Sequence, residues 1–392
     1  MPGAARIVVF GGAGAMGRIV VRDLAETAAP QIEIVAADRD AAGGRRIARA
    51  LKGRVQAIVA DAASPPSLSR ALQRATVVVN ACHHDFNLRV MDGALRAGAH
   101  YCDLGGLFHV TRRQLTRDAA FRRAGLLAIC GIGSAPGIVN VMARDAADRL
   151  DRVTEIHIAV GTHDATPKRG APPLDTSYSI ETVLDEASQP AAVFKDGVLS
   201  FVEPLSRPEP VRFPAPVRLQ HPACTLHSEL ATLPASFESK GIREVSFRIA
   251  FPGDLAARLR ILHALGLTSR DPIAVRGREI VPREVLLALL ARAPRPVRTG
   301  ARDEYEVLRV TVRGRRGRRA VEEILDCHVP GMPAWDVGVD IDTGAPPSIV
   351  AQMLVAGAID ARGVRPPERA VPPAPFFREL TRRGMRITRR RR

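Results

Sequence analysis

The sequence predicts an α/β protein: a Rossmann-type, doubly wound parallel sheet joined to a second α+β unit of mostly antiparallel strands. Three observations carry this. An apolar run from Arg6 to Phe10 feeds the pattern Gly12-x-Gly14-x-x-Gly17 and then a helical stripe. Strand-like and helical segments alternate from there to about residue 150. Beyond that point the period changes to the two-residue alternation of half-buried strands.

Each element of the first part has its own reason. After the glycines, Met16, Ile19, Val20 and Leu24 share one helical face. Gly12 suits a tight turn, Gly14 lets backbone approach a pyrophosphate, and Gly17 lets helix and strand pack closely. Ala15 and Met16 lie at the helix start, where N–H groups are available to phosphates. The second strand, "IEIVAADRD", ends in Asp38, 21 residues past Gly17. A carboxylate there accepts hydrogen bonds from both ribose hydroxyls and repels a 2′-phosphate, which favours NAD. Arg39 beside it is able to hold such a phosphate, so NADP stays open. The competing reading of Asp38 is the N-cap of the next helix.

"RVQAIVAD" is a third strand, with Asp61 near the adenine. "TVVVNA" is a fourth, placing Asn80 and Ala81 on the nicotinamide side. "CHHD" follows, Cys82 to Asp85. Adjacent side chains diverge, so four ligand types in a row make a poor metal motif, and no metal is assigned. His83 and His84 either face substrate for proton transfer or cap the next helix. "HYCDLGG" is a fifth strand ending in Asp103, the first choice for a catalytic base, ahead of His84 and His83. "GLLAICGIGSAPGIVNVMA" is a sixth strand, a loop and a helix. Cys130 either faces the cleft or fills the core. Gly133 and Ser134 shape the loop. Pro136 is expected in the first helical turn, whose free N–H groups are suited to a substrate carboxylate.

In the second part, "VTEIHIAVGTH" and "GIREVSFRIAFPG" alternate like strands, and Asp196-Gly197 marks a hairpin turn. A proline-rich segment, residues 203–222, is extended and superficial. "TSYSIETVLDE" offers the Tyr178 hydroxyl to the pocket, or to packing. "HSELATLP" offers His227, Glu229 and Thr232 to an amino group and a carboxylate, or to the surface. "DTGAPPSIVAQMLVAGAI" reads as a helix capped by Thr343 with prolines in its first turn.

The 392 residues suffice for two domains, and 46% hydrophobic with 25% charged is a globular balance. No apolar run is long enough for a bilayer and no signal peptide precedes the first strand, so a cytoplasmic location is expected. Five scattered cysteines suit a reducing compartment. The net charge of +16 invites a nucleic-acid reading, but 53 of the 57 basic residues are arginines, a bias typical of GC-rich genomes. The tail "RRGMRITRRRR" carries no aromatic residue to stack on bases. It is expected to be a solvated, frayed end, with an anchor for nucleic acid or anionic lipid as the alternative.

Several stretches resemble the saccharopine dehydrogenase family, and within it the lysine 6-dehydrogenase-like members. These are "VVNACHHDFNLRVMDGALRAGAHYCDLGG", "GIGSAPGIVN", "DTGAPPSIVAQMLVAGAI" and "GVRPPERAVPPAPFFRELTRRG". The resemblance implies a Rossmann domain over residues 1–150 completed by 340–392, with an α+β substrate and dimerisation domain inserted over 151–339. It implies hydride transfer between NAD or NADP and a C–N bond of an amino acid or polyamine-like substrate, and a homodimer. By motif, Gly12, Gly14, Gly17 and Asp38 fall on cofactor positions, Asn80 and Ala81 beside the nicotinamide, and Asp103, Gly105 and Gly133 to Gly137 beside the pocket. One departure matters. The family's "RYPG" is "AFPG" here, Ala250 to Gly253, so Arg243 or Arg248 must replace the missing arginine or the substrate differs. Two other readings stay open: a dinucleotide sensor without turnover, and reduction of a C=C or C=O bond.

Overall fold

Two sheets organise the chain in the computed structural model, which describes residues 4–170, 174, 176, 179–294 and 296–392. The first holds β1 (Arg6–Phe10), β2 (Glu33–Asp38), β3 (Gln56–Val59), β4 (Val77–Asn80), β5 (His100–Asp103) and β6 (Leu127–Ile129). Gly363–Arg365 adds a seventh strand, giving the order Gly363–Arg365, β6, β5, β4, β1, β2, β3. All of these pairs are parallel. Helices cover both faces, so the central strands are apolar throughout: Val77, Val78 and Val79 are all fully buried. Strand order reverses between β1 and β4, and that crevice is where such sheets bind ligands.

The second sheet has eight strands, among them Arg152–Asp164, Ala191–Lys195, Val198–Val202, Glu244–Ile249, Glu304–Arg316 and Arg319–Val329. It is antiparallel except where Glu244–Ile249 runs parallel to Arg152–Asp164. The hairpin turns where expected, with Asp196 and Gly197 both at positive φ (52° and 81°). The helix Ile138–Ala147 leaves the end of the first sheet and packs on the second. Its apolar residues are fully buried, and one continuous core spans both sheets.

Three local expectations are corrected. The helix Ile341–Val355 starts ahead of Thr343, with Asp340 as its N-cap, and Pro346 and Pro347 lie inside it. Proline has no N–H, so the carbonyls of Asp342 and Thr343 lack their usual helical donors. Pro136 precedes the helix Ile138–Ala147, whose N-cap is Gly137. The arginine tail is an ordered strand, Arg386–Arg391, paired with Arg319–Val329 in the second sheet. So the C-terminal segment contributes to both sheets. Carboxylates hold the tail: Arg390 meets buried Asp326 at 2.9 Å, Arg391 meets buried Glu323 at 2.6 Å, and Arg389 pairs with half-buried Asp145. Those partners lie far away in sequence, which is why a local reading took the tail for a free end. Among the described residues no helix is long and apolar enough to cross a membrane.

Candidate active site

The glycine loop is built by close approach. A Cβ on Gly17 would sit 1.9 Å from the Gly11 carbonyl oxygen, so helix α1 (Gly17–Thr27) reaches β1 only with glycine there. The tight turn itself falls one residue earlier than predicted, at Gly11 (φ +71°), while Gly12 packs on Ala36 of β2. Asp38 Oδ2 accepts from the Ala13 amide and its Oδ1 from the Asp40 amide, both at 2.9 Å. Asp40, not Asp38, caps the next helix by accepting from the Ala42 and Gly43 amides. Asp38 is therefore fixed at the tip of β2 against the loop, with exposed Arg39 beside it. Asp61 lies past the end of β3, exposed, and accepts from the Ala63 amide at 2.8 Å. The thiol of Cys82 is pushed up to about 12 by burial and by the charges of Asp38 and Asp61, which places these groups around one spot. The residues fit a dinucleotide: a loop whose glycines leave room for backbone approach, a helix start with unused N–H groups, and a carboxylate for the ribose.

From this loop a cleft of about 450 Å³ opens towards the second sheet. Ala15, Met16, Ala81, Cys82, Gly105 and Ser134 form its dinucleotide side. Val160, Phe247 and Ile249 form an apolar wall opposite. Four carboxylates also line it: Glu186, Glu306, Asp340 and Asp342. No lysine or arginine does, among the described residues. His227 lies between Glu229 (2.6 Å) and Glu186 (3.7 Å) and stacks on Phe247 with ring centroids 3.8 Å apart. Burial opposes charge on that ring, but Glu229 and Glu186 outweigh it and push its pKa up to about 10. His227 is thus a buried imidazolium at neutral pH.

His83 and His84 also line the cleft. His83 accepts from the Asp85 amide at 3.4 Å, so it caps as well as faces the cleft. Burial, and then His83, lower the pKa of His84 to about 4, leaving it neutral at pH 7. His84 lies 3.5 Å from Asp185 and sits on the border of a second cavity of about 520 Å³. His83, His84 and Asp185 are close enough to hold an ion. However, the Asp185 carboxylate is already occupied by Arg283 and Arg270, and their charge opposes a cation.

Other expected site residues lie elsewhere. Asp103 is fully buried and does not line the cleft. Its oxygens accept from Gly131 (2.7 Å), Gly105 (2.9 Å), Tyr101 (2.9 Å) and Gln114 (2.5 Å). Burial raises its pKa. It ties together the turns after β5 and β6 rather than facing a ligand. Asn80 is likewise internal, bonding Asn87 at 2.8 Å and the Cys82 amide at 3.2 Å. Cys130 packs with Tyr101, Phe121 and Ala128 in the core on the other side of the sheet. Thr232 is buried against Glu229 and does not line the cleft. Pro136 and Ser134 do line it, whereas Gly133 is buried and does not. The helix start after Pro136 offers no free anion site: the Gly137, Ile138 and Val139 amides donate to Asn140, Gly133 and Ser134. Tyr178 lies outside the described residues. Neither Arg243 nor Arg248 reaches the cleft: Arg243 is near Asp196 and Arg248 pairs with Glu209.

Comparison with known proteins agrees with this architecture. Residues 7–129 match the saccharopine dehydrogenase NADP binding domain, and residues 133–385 match the saccharopine dehydrogenase C-terminal domain. The chain belongs to the saccharopine dehydrogenase family. It is accordingly an NAD(P)-dependent oxidoreductase. It is 25% identical to a carboxyaminopropylagmatine dehydrogenase of Synechocystis sp., with 96% of each chain covered. Its fold is that of the L-Glu-forming saccharopine dehydrogenase of Saccharomyces cerevisiae (TM-score 0.73, 17% identity, 99% of this chain and 100% of that one). It also matches a Legionella pneumophila homospermidine synthase solved with NAD (TM-score 0.69, 14% identity, 98% and 91% covered).

The residues that sequence reasoning missed are the acidic ones. Ser179, Thr182 and Glu186 lie three and four positions apart along the helix Ile180–Ser188 and its N-cap, and all three line the cleft. That polar stripe was a usable signal. Glu306 and Asp342 left none, because a strand and a distant helix bring them together.

Proposed function

We propose that the protein transfers hydride between NAD(P) and the C–N bond of an amine whose cationic nitrogen sits among Glu186, Glu306, Asp340 and Asp342. The observation that carries this is the charge of the cleft: four carboxylates and no lysine or arginine, opening directly off the glycine loop. A protonated nitrogen gains from such a wall. A substrate α-carboxylate finds only the buried His227 cation and the neutral His84 there. This favours a polyamine-like substrate, or the side-chain amine of an amino acid. The names of the Synechocystis and Legionella relatives point to the same chemistry.

The bound nicotinamide supplies the hydride acceptor or donor. The protein supplies the rest. Asp38 holds the ribose and favours NAD, with NADP accepted beside Arg39. Ala81 and Gly105 border the nicotinamide side, and Phe247, Ile249 and Val160 exclude water from the reacting carbon. The same reading includes a cytoplasmic location, in keeping with five free cysteines, and a homodimer to be checked by sedimentation. The test is fluorescence titration with NADH and NADPH, then a screen of amines at 340 nm. Binding of either nucleotide together with amine-dependent reduction of NAD(P)⁺ supports the reading. Binding with no amine turned over refutes it.

A further inference from the structure

We infer that Glu306 and Asp342 act as one proton-sharing pair that takes the proton from the substrate nitrogen before hydride leaves. The inference rests on the amine reading of the cleft. The two residues come from different elements, the strand Glu304–Arg316 and the first turn of the helix Ile341–Val355, and both line the cleft. Both are buried, and their carboxyl groups face each other across the cleft wall closely enough to share a hydrogen bond. Two carboxylates make such a bond only if one proton lies between them. Asp342 Oδ1 accepts from the Thr343 hydroxyl at 3.1 Å, while Asp342 Oδ2 is buried without a protein donor among the described residues.

Among the described residues no lysine or arginine lines the cleft to relieve the pair. Asp340 adjoins it and the Cys327 thiol lies within its field. His227 and Glu186 share the cleft, with the His227 charge engaged by Glu229. Burial raises Glu306 to about 7, and burial together with Glu306 raises Asp342 well above the carboxylate range. Burial and the mutual repulsion of the two groups thus keep a proton on the pair well above the ordinary carboxylate range. The cleft histidines and Asp103 are poorer acceptors: His227 is already protonated, His84 is too weak a base, and Asp103 is out of reach.

The step balances. A cationic amine, R₂CH–NH₂⁺–R′, gives one N–H proton to the singly charged pair, which becomes a neutral diacid. The C–H bond of the resulting neutral amine then breaks, and its hydride passes to the nicotinamide C4 of NAD(P)⁺. This leaves the iminium R₂C=NH⁺–R′ and NAD(P)H. The pair returns its extra proton to solvent. In the reductive direction the same group protonates the product amine.

The experiment compares full-length wild type with Glu306→Gln and Asp342→Asn. Three quantities are read: NADH and NADPH affinity, kcat/KM for amine oxidation from pH 5 to 10, and the urea unfolding midpoint over the same range. The inference expects Glu306→Gln to bind nucleotide within about twofold of wild type. It expects kcat/KM to fall about 100-fold or more, with the acidic limb near pH 7 abolished. The unfolding readout needs no substrate. Folded Glu306 keeps its proton to about pH 7, whereas the unfolded chain releases it near 4.5. Wild type is then most stabilised by this group below pH 4.5 and loses that stability as pH rises through 7, a slope that Glu306→Gln removes. An unchanged slope in the variant overturns the shared proton whatever the substrate. An active wild type whose acidic limb survives in Glu306→Gln overturns the inference alone and leaves the amine reading standing. A wild type that binds nucleotide but oxidises no amine overturns both.

Discussion

Replacing Asp103 separates two roles that look identical in a sequence, a base at a strand end and a buried tie between turns. In Asp103→Ala, three buried donors and the half-buried Gly105 amide lose their acceptor. Tyr101 has a second acceptor in the Asn87 carbonyl at 3.3 Å, and Gln114 can turn its amide. The Gly105 and Gly131 amides have no such alternative. An orphaned buried donor costs about 1–3 kcal/mol, so the alanine variant should lose about 2–6 kcal/mol. Asp103→Asn should lose far less, about 1 kcal/mol. Its oxygen keeps the two glycine amides, and its new N–H₂ meets Gln114 Oε1, a buried acceptor without a partner among the described residues. Urea unfolding followed by circular dichroism measures both variants, and initial rates across pH measure their function. The account expects an unstable alanine variant and a nearly native asparagine variant that keeps the wild-type pH profile. An asparagine variant of native stability whose turnover drops 100-fold would refute this reasoning and restore Asp103 as the base.

Three further outcomes are expected. Asp38→Asn should weaken NADH about tenfold, about 1.4 kcal/mol, and NADPH less, by fluorescence titration; equal losses would mean Asp38 only anchors Ala13. His227 is raised from 6.5 to about 10, so its stabilisation is complete below pH 6.5 and lost as pH rises through 10. His227→Gln should flatten the unfolding midpoint over that window, which thermal or urea melts at pH 6, 8 and 10 would reveal. Deleting residues 386–392 should destabilise the chain and promote aggregation, since it strips buried Glu323 of its arginines, leaves Asp326 with Arg309 alone and bares a sheet edge. A truncated protein that melts like wild type and stays monodisperse on gel filtration would contradict this role of the tail.

The dinucleotide half of the molecule could be read residue by residue because its signals are local. Apolar period, glycine spacing and the acid at the end of β2 all lie within forty residues, and backbone sterics alone give them meaning. The cleft's far wall could not be read this way. Glu186, His227, Glu306 and Asp342 converge only through the packing of distant helices and strands, and nothing near Glu306 distinguishes it from the exposed acids of the same sheet. Asp103 shows the converse error. A carboxylate at a strand end has the same sequence whether it faces a ligand or two glycine amides, and here the turns after β5 and β6 fold over it. Cys130 was ambiguous for a simpler reason: at the end of β6, a shift of one residue moves a side chain to the opposite face of the sheet. The tail misled because its counter-charges, Asp145, Glu323 and Asp326, lie about 65 to 245 residues upstream.

The central claim is the identity of the bond that receives hydride. The most direct measurement is to incubate the protein with [4-²H]NADH or [4-²H]NADPH and mixtures of amines with aldehydes or 2-oxo acids, lysine and 1,4-diaminobutane among the amines, and to locate the label by mass spectrometry. The account predicts one deuterium in a product amine, on the carbon bonded to nitrogen. Label on a carbinol or alkane carbon, or oxidised nucleotide with no labelled amine, would contradict it.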